Sequence, residues 1–177
     1  QWSLEVEACR SLKTHQEAVV FCGRNSSGAP HQLPSLEFRN ILHGRIYNPI
    51  ESVFVADATI DSKAWADLRN CGSLESLKIQ DCTISESESG FAGLSRSVSM
   101  LDIRSRTLSR KHLQQIATLQ GLTHLWLSPQ GSIDTGELRE FLSELRKLPN
   151  LRDFSLHKVD VSADAMSAIA ELRNLET

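Results

Sequence analysis

Five segments of this chain share one apolar signature: IESVFVADATI, LESLKIQDCTI, VSMLDIRSRTL, LTHLWLSPQGSI and LRDFSLHKVDV. They begin at Ile50, Leu74, Val98, Leu122 and Leu151, so that three equal steps are followed by a longer one, and Leu175 stands one more short step on. A fixed period of this size marks a stacked unit. No such unit buries its apolar face alone, so each must lean on its neighbours.

Within each segment the apolar residues alternate at first, as they do in a strand that buries one face. Straight after its last apolar residue comes a helix-capping type: Ile60-Asp61, Ile84-Ser85, Leu108-Ser109, Ile133-Asp134 and Val161-Ser162. Such side chains accept the unpaired amides at a helix start. Apolar residues at helical spacing follow: Leu113, Ile116 and Leu119; Leu138, Phe141, Leu142 and Leu145; Met166, Ile169 and Leu172. The longest unit, from Leu122 to Leu151, carries the longest helical pattern, ELREFLSELRKL, because its extra residues add about one turn. The second unit, with SESESGFAGLSRS, predicts an irregular turn instead.

The pattern LxxLxLxx(N/C)xL resembles the leucine-rich repeat family. Leu74, Leu77, Ile79, Cys82 and Ile84 fit it best. Ile50, Val53, Val55, Ala58 and Ile60 follow, as do Val98, Leu101, Ile103 and Leu108, then Leu122, Leu125 and Leu127, then Leu151, Phe154, Leu156, Val159 and Val161. Arg106 and Gln130 depart from the Asn/Cys position, and Ile133 falls one residue late. The resemblance covers residues 50–177. It implies an α/β fold: a right-handed solenoid with a parallel concave sheet and convex helices. Cys71 and Cys82 fit the cysteine-containing variety, C-x-x-L-x-x-L-x-L-x-x-C, and read as structural thiols. The extended stretch between those two, at about 3.3 Å per residue, keeps them from bridging. Cys9 and Cys22 leave a bridge open in an oxidising compartment.

Residues 1–49 do not fit the period and read as an N-terminal cap over the open end of the stack. Leu4, Ala8 and Leu12 predict an amphipathic helix, Ala18–Cys22 a strand, and GRNSSGAPHQ a loop. Pro34, SLEFRNILH and Gly44 predict a second helix with proline in its first turn and glycine past its end. Leu33, Leu36 and Phe38 offer a degenerate repeat as the alternative. The helix–strand–helix order also resembles that of bacterial leucine-rich repeat proteins anchored at, or exported across, a membrane. The chain starts with Gln and ends as a new unit begins, so it reads as a fragment.

Composition narrows the function classes. A net charge of −3 offers no basic excess for nucleic acid, and no stretch approaches the length of a membrane span. The cysteines form no CxxC pair, so no zinc site is expected, and no cofactor or metal is implied. GRNSSG lacks the Gly-Lys-Ser/Thr ending of a phosphate loop. Asn25-Ser26-Ser27 fits the glycosylation triplet, which matters only in a eukaryotic secretory host. No catalytic motif emerges, so catalytic residues are not assigned and an enzyme is not expected.

The residues between the inward positions carry more. Read across units, they make three columns. The first is Ser52, Ser76, Met100, His124 and Asp153; the second is Phe54, Lys78, Asp102, Trp126 and Ser155; the third is Ala56, Gln80, Arg104, Ser128 and His157. Neighbours within a column lie about 4.8 Å apart and touch. Trp126 is a large aromatic where solvent is expected, which suits a binding hot spot, although it can equally rest on its neighbours. Phe54 invites the same two readings, with packing under the cap preferred. His124 and Asp153 suit a cross-strand pair better than a catalytic dyad, and Lys78 and Asp102 suit a plain ion pair. The expectation is a protein- or peptide-binding module using Trp126, Met100, Arg104, His124, Asp102, Lys78 and His157. The alternative is a structural or regulatory segment whose concave face another domain covers.

Overall fold

The structure, a computed structural model, describes residues 8–10, 17–22, 31–32, 51–86, 90–94, 96–131, 133–159 and 161–176. In chain order the strands are β1 (Ala8–Arg10), β2 (Glu17–Cys22), β3 (His31–Gln32), β4 (Ser52–Ala56), β5 (Ala58–Ile60), β6 (Ser76–Ile84), β7 (Met100–Ser105), β8 (His124–Pro129) and β9 (Asp153–Leu156). The helices are α1 (Ser62–Arg69), α2 (Arg110–Ile116), α3 (Thr135–Leu145) and α4 (Ala163–Ala170), with a 3₁₀ turn at Phe91–Gly93. Strands β2, β4, β6, β7, β8 and β9 pair in that order as a parallel sheet, giving an α/β fold.

The sequence period is the register of this sheet. Ser52 pairs with Ser76, Ser76 with Met100, Met100 with His124, and His124 with Asp153, as the three equal steps and the longer fourth require. Val53, Val55, Leu77, Ile79, Leu101, Ile103, Leu125 and Leu127 face the core and are almost fully buried. Each contributes roughly 1.5–3 kcal/mol by leaving water. A ladder of main-chain bonds ties the strand starts together. Glu51 O accepts from Glu75 N, Glu75 O from Ser99 N, Ser99 O from Thr123 N, Thr123 O from Arg152 N, and Arg152 O from Glu176 N, at 2.8–2.9 Å.

Four of the five capping residues cap a helix as expected. Asp61 accepts from Lys63 N and Ala64 N, Asp134 from Gly136 N and Glu137 N, Ser109 from His112 N, and Ser162 from Ala165 N. α3, in the longest unit, is the longest helix described. The second unit has only the 3₁₀ turn, as its sequence predicts. Phe91 fills the space where a helix would pack: it is fully buried, 4.6 Å from the Trp65 ring and 6.0 Å from the His112 ring. Gln115 Oε1 accepts the Phe91 amide at 3.1 Å and fixes the turn against α2.

Several expectations are corrected. Ala8–Arg10, expected within a helix, is a strand antiparallel to β2, and His31–Gln32, expected in a loop, pairs with β5. β2 pairs in parallel with β4, Ala18 opposite Ser52, so part of the N-terminal segment forms a further rung beside the repeating strands. Cys9 lies opposite Ala18, and Cys22 stands at the far end of β2. The second predicted cap helix, and its alternative at Leu33, Leu36 and Phe38, lie outside the described residues.

The Asn/Cys position also moves. Ser105 and Pro129, not Arg106 and Gln130, align with Cys82. Ser105 Oγ donates to Cys82 O at 3.0 Å and accepts from Thr107 N at 3.1 Å. The shift arises because Asp81 is an extra residue in β6, with no counterpart between Arg104 and Ser105. Its backbone is left-handed at φ 53°, like Asp57 at 53° and Lys158 at 58°, the matching residues of the first and fifth units. Met166, expected inside, is 56% exposed, and Ala165 takes the buried position on α4.

Candidate interaction surface

Helices and core cover one face of the sheet; the other carries the three columns. Pairing places them as the spacing predicts. Met100, His124 and Asp153 are successive partners, as are Asp102, Trp126 and Ser155, and Arg104 pairs with Ser128. His157 lies just beyond β9, with its amide donating to Leu127 O at 2.8 Å. Two members of the third column do not project into solvent: Ala56 and Ser128 are buried.

Around Trp126 the face is apolar and aromatic. Its half-buried indole lies 5.7 Å from the His124 imidazole at a 41° tilt, and Met100, one strand away, is 36% exposed. Trp126 thus rests on a neighbour and still reaches solvent. The Thr123 hydroxyl lies 2.9 Å from Ser99 O and 2.7 Å from His124 Nδ1, which anchors the ring to the strand start. Among the described residues no ion pair joins His124 to Asp153, although they are register partners.

Towards the N-terminal side, Lys78 Nζ lies 3.0 Å from Asp102 Oδ2 and 5.8 Å from the centre of the Phe54 ring. The ion pair forms as expected. Both members are substantially solvated, so it orders the surface more than it stabilises the fold. Half-buried Phe54 lies between β2 and β6, opposite Val20 and Lys78. Arg104 is exposed, and among the described residues no carboxylate pairs with it. The seven candidate residues therefore divide into a neutralised Lys78–Asp102 pair, an aromatic and apolar patch of Met100, His124 and Trp126, and an exposed edge of the cationic Arg104 and His157.

A second row escaped the sequence reading. Asp57 Oδ1 lies 3.9 Å from the Arg106 guanidinium, and Asp81 accepts from Gln130 Nε2 and from Gln80 Nε2. Aspartates at the same place in two successive units were its visible signal, but the bulge that gathers them shifts the count and hid the pairing. Cys82 is fully buried, its Sγ 3.2 Å from Gln80 O and 3.5 Å from Val55 O, whereas Cys71 is half-buried. Burial pushes both thiols up to about 11, so both stay protonated and unreactive near neutral pH. Among the described residues no His, Cys, Asp and Glu group could hold a metal ion, and no helix is long and apolar enough to cross a membrane.

No family model matches the sequence, and neither a curated protein nor a solved structure matches it.

Proposed function

We propose that this chain is a leucine-rich repeat solenoid with a concave sheet face that binds a protein or peptide partner. The observation carrying the reading is the patch of Met100, His124 and Trp126. An aromatic and a thioether project from the side of the sheet opposite the core, and both reach solvent there. Aromatic side chains in such settings supply much of the energy of association. A regular parallel sheet also holds them in fixed register, which lowers the entropy lost on binding. The net charge of −3 supports a protein rather than a nucleic acid as the partner. The residues of this face support recognition and not catalysis.

The test is site-specific photocrosslinking in extract of the source organism. A photoreactive residue replaces Met100 in one preparation and exposed Ser143, on α3, in another. The expected result is a discrete adduct from position 100 that disappears when Trp126→Ala is added. The same adducts from both positions, or adducts unaffected by Trp126→Ala, would refute this face as the binding surface.

A second reading is a structural or regulatory segment whose sheet face another part of the protein covers. Half-buried Trp126 and partly exposed Met100 suit it as well, because a covering element of the same protein would seat on the same apolar patch. The two readings part on whether the position-100 adduct is intermolecular or within one chain.

A further inference from the structure

We infer, building on the binding reading above, that the partner is an extended acidic peptide segment. Its large apolar side chain seats on Met100 and Trp126, and its carboxylate a few residues away meets Arg104. Arg104 follows Met100 by four positions in β7, and Trp126 pairs with Asp102 midway between them. At about 3.3 Å per residue the apolar and cationic ends are about 13 Å apart, the span of a short extended peptide running along the strands.

The charges make the choice of sign. Asp102, the acid nearest Trp126, is neutralised by Lys78 at 3.0 Å. Arg104 has no carboxylate partner among the described residues, so its guanidinium is free to pair with an incoming acid. Beside it in the same column lie buried Ser128 and then exposed His157. Buried Ser128 thus sets the exposed Arg104 and His157 on either side of it, about two strand spacings, roughly 10 Å, apart. At the other end of the patch is Asp153, half-buried and with no ion pair among the described residues. It repels an acid there. The face is therefore polar along the strands, and the peptide's carboxylate belongs at their C-terminal ends.

The experiment selects random linear peptides displayed on phage against the full chain. Binding of the winners is then measured to the native chain and to folded Arg104→Glu and Trp126→Ala variants. Selected peptides are expected to carry Asp or Glu two to four positions from a large apolar residue. Trp126→Ala is expected to abolish binding. Arg104→Glu is expected to weaken it about tenfold or more, and a Glu→Lys change in the peptide to restore it. Peptides that need Trp126 but tolerate Arg104→Glu would overturn the acidic-peptide inference and leave the binding face standing. If no selected peptide depends on Trp126, both fall.

Discussion

Ser109 and His112 cap each other: the Ser109 amide donates to His112 Nδ1 at 3.1 Å, and the His112 amide donates to the Ser109 hydroxyl at 3.5 Å. Such a reciprocal box ordinarily uses Glu or Gln at the third helical position. Here a buried imidazole does the accepting, and it accepts only while its Nδ1 lone pair is free.

Stability should therefore depend on pH through His112. Burial holds its pKa below the ordinary 6.5; the Ser85 and Thr107 carbonyls and Glu86 oppose that shift, and Lys111 reinforces it. The folded state thus binds this proton less readily than the unfolded one. His112 contributes fully above about pH 6.5, and its contribution is lost as pH falls from there towards the lower folded value. Thermal melts between about pH 8 and 5 should show a falling Tm on the acid side. His112→Gln keeps an acceptor that does not titrate and should flatten that limb. An equally steep limb in the variant would remove His112 as its cause.

Phe91 replaces a helix. Phe91→Ala should cost about 3–5 kcal/mol, because the residue is fully buried and its ring separates Trp65 from His112. Denaturant titration measures the loss. A cost below about 1 kcal/mol would mean that the surrounding turn closes over the gap.

Gly121 is fixed by close approach. A β-carbon there would collide with the Arg96 carbonyl oxygen and stand 3.2 Å from that of Val98, both main chain and unable to swing aside. Gly121→Ala should destabilise by about 1–3 kcal/mol. Gly72, where a β-carbon meets nothing within 4 Å, is the matched control. Equal unfolding midpoints for the two variants would contradict this account.

Lys158 holds a left-handed backbone, φ 58°, with an exposed side chain. Lys158→Gly should raise stability by about 1 kcal/mol, since only the glycine is unstrained there. Asp57 and Asp81 share that conformation but also engage Arg106 and Gln130, so glycine at either should gain less. A loss of stability in Lys158→Gly would argue against strain at this position.

The repeated core was legible in the sequence because it needs only period and polarity. Every inward residue from Val53 to Leu127 and the cap at Asp61, Ser109, Asp134 or Ser162 follow from local chemistry. The three columns were legible too, since register in a parallel sheet repeats the sequence step. The N-terminal rung was not: β2 sets Ala18 against Ser52 of β4, a separation longer than any unit of the repeat. Ser105 was missed because a fixed count from Val98 lands on Arg106. Met166 was assigned inward by helical spacing alone, yet the small Ala165 brings α4 close and turns its neighbour outward. The 2.7 Å contact of the Thr123 hydroxyl with His124 Nδ1 needs three-dimensional geometry that no pattern carries.

The left-handed residue has a consequence for how the repeats can vary. The path from Ala58 to Leu74 is as long as that from Cys82 to Val98, but the path from Ser105 to Leu122 is one residue longer. The third unit drops one residue at the strand end, adds one on the helical side, and keeps the common length. Equal unit lengths thus conceal a compensated deletion and insertion. Position 81 and its equivalents are where single-residue length changes can accumulate between related chains without any core side chain leaving its layer.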